Sequence, residues 1–141
     1  MPPRDTPWAM SEENVEVVRD ALDAFGAADV ERLLQFMDPE IKFEPHLALL
    51  EGNYRGHDGV REFMADAFEA PEVSVPRIDR DFRDLGDRVL ASGTFYIRGG
   101  RSGIEYEAPF AILARVREGR IVHLKDYVNE AEALEAAGLS E

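Results

Sequence analysis

Apolar residues recur at helical spacing in the first half of the chain and at alternate positions in the second. Val15, Val18, Leu22 and Phe25 form one stripe. Ser11 stands before it as a cap, and Glu12 and Glu13 sit where a helix dipole favours carboxylates. A helix is therefore predicted from Ser11 to near Gly26. Asp29 caps a second, short helix bearing Val30, Leu33, Leu34 and Met37, which Asp38-Pro39 ends. Ile41 to Glu44 reads as a short strand stopped by Pro45, and Leu47 to Arg55 as a loop. Val60, Phe63, Met64, Ala67 and Phe68 then fall at i, i+3, i+4, i+7 and i+8, predicting a third helix from His57 or Asp58.

Long strands follow. Ile78, Arg80, Phe82 and Asp84 alternate with Asp79, Asp81 and Arg83, and Leu85-Gly86-Asp87 turns the chain. Val89 to Arg98 puts Ala91, Gly93, Phe95 and Ile97 on one face and Leu90, Ser92, Thr94, Tyr96 and Arg98 on the other. Gly99 to Gly103 turns into a strand from Ile104 to Arg117, bent at Pro109. Glu118-Gly119 turns that into a final strand. There Val122, Leu124, Asp126 and Val128 share a face opposite Ile121, His123, Lys125, Tyr127 and Asn129. The first of these faces is apolar except for Asp126, so it is expected to point inward. Asn129 caps a closing helix, with Glu132 three residues on and Gly138 at its stop. The order predicts an α+β fold: a strongly curved antiparallel sheet with helices on the concave face. Small residues such as Ala91 and Gly93 would leave a hole under those helices.

Composition narrows the function classes. The 141 residues suit one domain, 11–141, after a flexible proline-rich leader, 1–10, whose single large apolar residue is Trp8. A net charge of -13 argues against nucleic-acid and anionic-membrane partners, which select basic patches. With no cysteine there is no disulfide framework and no thiolate ligand or nucleophile. No apolar run suits a signal peptide or a membrane span, so a cytoplasmic location is expected by default.

Asp126 is the leading candidate for chemistry. A carboxylate on an inward face is paired, protonated or functional, because burying it bare is too costly. As a general base it would take a carbon-bound proton or activate water. The structural alternative ties it to Arg80 or Arg115. His46, just after Pro45, is either its acid–base partner or a satisfied loop histidine. Tyr54 either donates to a substrate oxygen or packs. Glu44 is expected on the face opposite Phe43. The expected pocket lining is Phe43, Phe63, Ala91, Phe95, Ile112 and Leu124, which suits a small apolar, cyclic organic molecule. The scattered histidines give no metal site, and no phosphate-cradling glycine motif is present, so no cofactor is expected. Leu90, Thr94 and Tyr96 are too apolar for a fully exposed face and suggest a homodimer surface.

Y-R-G-H-D-G-V-R-E-F at 54–63, Glu107-Ala108-Pro109-Phe110, and the terminal stretch from Asp126-Tyr127 to Leu139 resemble the SnoaL-like group of the nuclear transport factor 2-like superfamily. The resemblance spans roughly residues 11–139 and implies the cone-shaped fold. The superfamily includes cyclases, isomerases, hydrolases and plain binding proteins. Asp126-Tyr127 is similar to the final-strand Asp-Tyr of limonene epoxide hydrolase, whose Asp activates water. That enzyme's Arg, Asp and Tyr partners correspond to Gly93, Phe95 and Phe43. Glu44-Pro45 is similar to the Asp-Pro of ketosteroid isomerase, whose oxyanion-hole Tyr and Asp correspond to Ala21 and Ala111. The resemblance thus implies a cofactor-independent acid–base enzyme of isomerase, polyketide cyclase or hydrolase type, or a non-catalytic binding protein of the same fold.

Overall fold

The computed structural model describes residues 7–47, 50–51, 53–68, 73–99 and 104–138. The first helix, α1, spans Pro7–Gly26 and so starts four residues before Ser11. A proline at the first helical position loses no hydrogen bond and brings a helical φ, so part of the expected leader is helix. The rest of the leader, 1–6, and the side chain of Trp8 lie outside the described residues. The short α2 (Val30–Gln35) is capped by Asp29, whose side chain accepts from the Arg32 N–H at 3.2 Å. Met37, expected in that helix, instead opens β1 (Met37–Glu44).

Three two-residue strands, β2 (His46–Leu47), β3 (Leu50–Glu51) and β4 (Tyr54–Arg55), interrupt the segment expected as loop. Next come α3 (Gly56–Ala67), β5 (Ser74–Asp84), β6 (Arg88–Gly99), β7 (Ile104–Arg117), β8 (Arg120–Tyr127) and α4 (Glu130–Ala136). The main sheet is open, with six strands in the order β4-β1-β8-β7-β6-β5, and β2 and β3 pair separately. From β5 to β8 it is the expected antiparallel meander. The sheet is not purely antiparallel, however: β1 runs parallel to β8. The chain between β1 and β8 runs through α3 and the rest of the meander, a long connection of the kind a parallel pair requires. The β7–β8 hairpin turns through Glu118 and Gly119, with φ of 52° and 78°. Two positive φ values give the primed turn that matches strand twist. Pairing of β6 with β7 runs through Pro109 without a register shift, because β8 pairs with β7 only from Ala111 onward.

Two cores form on opposite faces. Val18, Phe25, Phe43, Val60, Phe63 and Phe95 belong to the larger one, where α1, α2 and α3 cover the inner face. Leu90, Ala111, Leu113, Ala133, Leu134 and Ala137 form the smaller one, where α4 covers the outer face. The fourth helix therefore does not join the other three. Leu90, expected on an open dimer face, lies beneath α4 and is 1% exposed. Tyr96 on that face donates its hydroxyl to Asp79 at 2.8 Å, under the Arg77 guanidinium. Asn129 caps α4 by accepting from the Glu132 N–H at 2.8 Å. Asn129→Ala is expected to cost about 1 kcal/mol, readable by urea denaturation. No helix among the described residues is long and apolar enough to cross a membrane.

Candidate functional site

Strand β8 carries Asp126 inward by an unexpected route. Arg115 faces His123 while the next residue of β7, Val116, faces Ile121, so Val122 is an extra residue in β8. Such a bulge shifts the side-chain alternation by one. Ile121 is consequently fully buried on the inner face and Val122 is not. Val128 lies past the strand end and is 64% exposed, contrary to its expected inward position. Within 123–127 the alternation is regular, and buried Leu124 brings Asp126 to the inner face with it.

The inner face and its helices enclose an apolar cavity. Its volume is about 60 Å³. Phe43, Phe63, Phe95, Ile112 and Leu124 line it as expected, and among the described residues Asp126 is the one charged residue on its wall. The walls are stiffened by ring contacts. Phe43 meets Phe63 edge-on at 5.0 Å, and Phe25 lies 5.2 Å from Phe95, which stacks on Phe110 at 4.2 Å.

Asp126 is partly buried, and its removal from water raises its pKa from 3.8 to about 7. Opposing this, the Ala111 backbone N–H donates to Asp126 Oδ1 at 3.1 Å. The charge of His46 and the backbone N–H groups of His46 and Tyr127 also favour the ionised form, but they do not offset desolvation. The cations of the structural alternative are engaged elsewhere. Arg80 pairs with Asp23, and Arg115 stands 3.7 Å from Asp87.

The remaining candidates separate. His46 begins β2, close enough to act on Asp126, but it is not on the cavity wall. Tyr54 pairs with Phe43 in β4 and packs its ring 5.8 Å from Phe63, behind the cavity wall rather than on it. Ala91 does not line the cavity either. It is fully buried in the ladder between Phe82 and Ile112, where those larger residues fill the space. Ala21 is on the wall, whereas Ala111 faces outward under α4. Glu44 lies opposite Phe43, as expected, and His123 reaches it at 2.7 Å on the outer face. That hydrogen bond holds the Glu44 carboxyl below its usual range. His57 contacts the Met37 carbonyl oxygen at 2.9 Å.

Sequence reasoning overlooked Phe25, Met37, Pro45 and Ile121 as lining residues. Phe25 ends the apolar stripe of α1 and Pro45 precedes His46, the only available signals. Among the described residues no three His, Asp or Glu side chains converge as a metal-binding set.

Solved structures share this architecture. An NTF2-like protein of unknown function from Burkholderia pseudomallei K96243 has a TM-score of 0.69 at 25% identity, over 87% of this chain and 95% of its own. An NTF2-like protein from Burkholderia xenovorans LB400 has a TM-score of 0.66 at 27% identity, over 89% of this chain and 95% of its own. A candidate polyketide cyclase from Xanthomonas campestris pv. campestris has a TM-score of 0.66 at 18% identity, over 88% and 96%, a likeness of fold alone. No curated protein matches the chain in sequence. The SnoaL-like domain model matches residues 18–124, which contain β1 and β5 to β7 whole and most of β8, so the chain belongs to the SnoaL-like domain family.

Proposed function

We propose that the chain binds a small, apolar, ring-containing carbonyl compound in this cavity and that Asp126 moves a proton on it. The observation that carries the reading is one carboxyl on a wall otherwise apolar among the described residues, shifted by burial to about 7. A group with that pKa has both forms populated near neutral pH, so it can accept a proton and return it. The reaction this suits is an isomerisation. Asp126 Oδ takes a proton from the carbon beside a carbonyl, the electron pair moves onto the carbonyl oxygen, and the proton returns at a conjugated carbon. Nothing is oxidised or reduced and no co-reactant is consumed. Cyclase and hydrolase chemistry would use the same base. The candidate cyclase of the same fold supports the class, not a substrate.

A second reading, binding without turnover, draws on one observation: among the described residues no other polar side chain lines the cavity to stabilise a developing oxyanion. Proton NMR in heavy water separates the two. A panel of cyclic ketones and enones is added to wild type and to Asp126→Asn, and deuterium entry at the carbon beside the carbonyl is followed. Acid–base chemistry predicts exchange that Asp126→Asn lowers by about 10²–10⁴-fold. Saturable binding with no exchange supports the second reading. Absence of any binding across the panel would contradict both.

A further inference from the structure

Strand β1 leaves the sheet beside Asp126, and strand pairing alone does not hold its exit. Among the described residues its parallel ladder with β8 ends at the Glu44–Lys125 pair, and its pairing with β4 covers Lys42 and Phe43. The next residue, Pro45, lacks an N–H and cannot donate to a ladder. Yet this exit is part of the site. Pro45 lines the cavity, and the His46 backbone N–H bonds to the Asp126 carboxyl. Other contacts must fix the chain after Glu44 if that N–H is to stay in place, since a reactive group is held only as well as the contacts behind it.

One contact is placed to do this. On the outer face His123 Nε2 lies 2.7 Å from a Glu44 carboxyl oxygen. The register sets Glu44 beside Lys125 and His123 beside Lys42, so the pair runs diagonally between the strands. The Glu44 side chain is 19% exposed, which keeps the contact partly out of water. The two strand ends are thus tied twice, by Glu44 and His123 outside and by His46 and Asp126 inside. The charged groups around the outer tie are Lys42 and Lys125 on its own strands, Arg115 opposite His123 on β7, and Arg55 opposite Lys42 on β4. On α4, which packs against β8 from the same face, they are Glu130, Glu132 and Glu135. Inside, His46 is the charged group that acts on Asp126, and among the described residues the cavity wall adds no other. We propose that His123 is a positioning residue for Asp126: through Glu44 it fixes the exit of β1 and so holds the His46 N–H on the Asp126 carboxyl. His123 points to the face opposite Asp126 and does not line the cavity, so it acts only through the strand end. Its effect on proton transfer rests on the function proposed above; its effect on the carboxyl does not.

Carbon NMR titration of the Asp126 carboxyl tests it on wild type, His123→Ala, His123→Gln, and Glu44→Ala with and without His123→Ala. Circular dichroism checks that each is folded. The His46 N–H favours the ionised carboxylate, so loosening it raises the midpoint. His123→Ala is expected to raise it by about 0.5 to 1 on the pH scale. Glutamine places an amide donor near the Nε2 position without a charge, so His123→Gln should keep the wild-type midpoint. In the Glu44→Ala background His123→Ala should change nothing, because its partner is already gone. The pH profile of deuterium exchange into cyclohexenone should move by the same interval, lowering the rate about three- to tenfold below the midpoint and leaving the plateau above it. A purely structural role would lower the rate at every pH. A midpoint that His123→Ala leaves in place or lowers overturns the proposal. So does a His123→Gln that behaves like His123→Ala, the mark of a charge effect, or an undiminished shift in the Glu44→Ala background. Wild type that exchanges no deuterium would contradict the proposed reaction, and the titration would still decide the role of His123.

Discussion

Asp126→Asn is expected to raise the melting temperature by about 10 °C at pH 8 and to change it little below about pH 4. In the folded chain burial lifts this carboxyl from 3.8 to about 7. The folded state therefore holds a proton that the unfolded state has released between those two values. For a group raised in this way, the stabilisation is complete below the unfolded pKa and is lost as pH rises through the folded one. Above pH 7 the folded protein carries a desolvated carboxylate at a cost of roughly 4 kcal/mol, the ceiling of the effect. Asparagine keeps an oxygen for the Ala111 N–H at similar size and carries no charge, so it avoids that loss. The contrary case is a structural ion pair, where removing one partner costs roughly 3–5 kcal/mol. Paired thermal melts of wild type and variant from pH 4 to pH 8 distinguish the two by sign. A variant that melts lower than wild type at pH 8 would mean that a cation holds Asp126 after all.

The second large effect is expected at Gly93. A Cβ there would sit 1.8 Å from the Asp79 carbonyl oxygen and 2.7 Å from its carbon. Both are backbone atoms of the adjacent strand, so no side chain can move aside. Gly93→Ala must push β5 from β6, and it is expected to cost 3 kcal/mol or more, at the upper end of overpacking effects. The damage should reach the cavity, because Phe95 is two residues along the same face of β6. Gly119→Ala is the control. Gly119 has φ of 78° and nothing within 4 Å of its Cβ position, so only the backbone conformation resists. That substitution should cost about 1 kcal/mol. Urea midpoints compare the two, and equal losses would show that the close approach of β5 does not matter.

What the sequence revealed depended on how local each determinant was. The stripes of α1 and α3 and the caps at Asp29 and Asn129 are local patterns, and they located those helices. The Leu124–Asp126 alternation brought Asp126 to the inner face because the bulge at Val122 precedes it. The same parity argument failed for Val122 and Val128, on the bulge and past the strand end. Two-residue strands such as β4 are too short to show periodicity, so Tyr54 could not be assigned to a pair with Phe43. The apolar stripe of α4, Ala133, Leu134 and Ala137, is legible, but nothing local tells which face of the sheet it covers. Gly93 was read as a gap in the core. Its real neighbour, the Asp79 carbonyl, is fourteen residues away in sequence and visible only in the fold.

Carbon NMR titration of the Asp126 side-chain carboxyl, assigned by its disappearance in Asp126→Asn, tests the central claim most directly. A midpoint at about pH 7 is predicted, from a carboxyl desolvated by the apolar cavity wall. A midpoint at or below 3.8, the ordinary value, would contradict the claim and remove the basis for acid–base chemistry at this site.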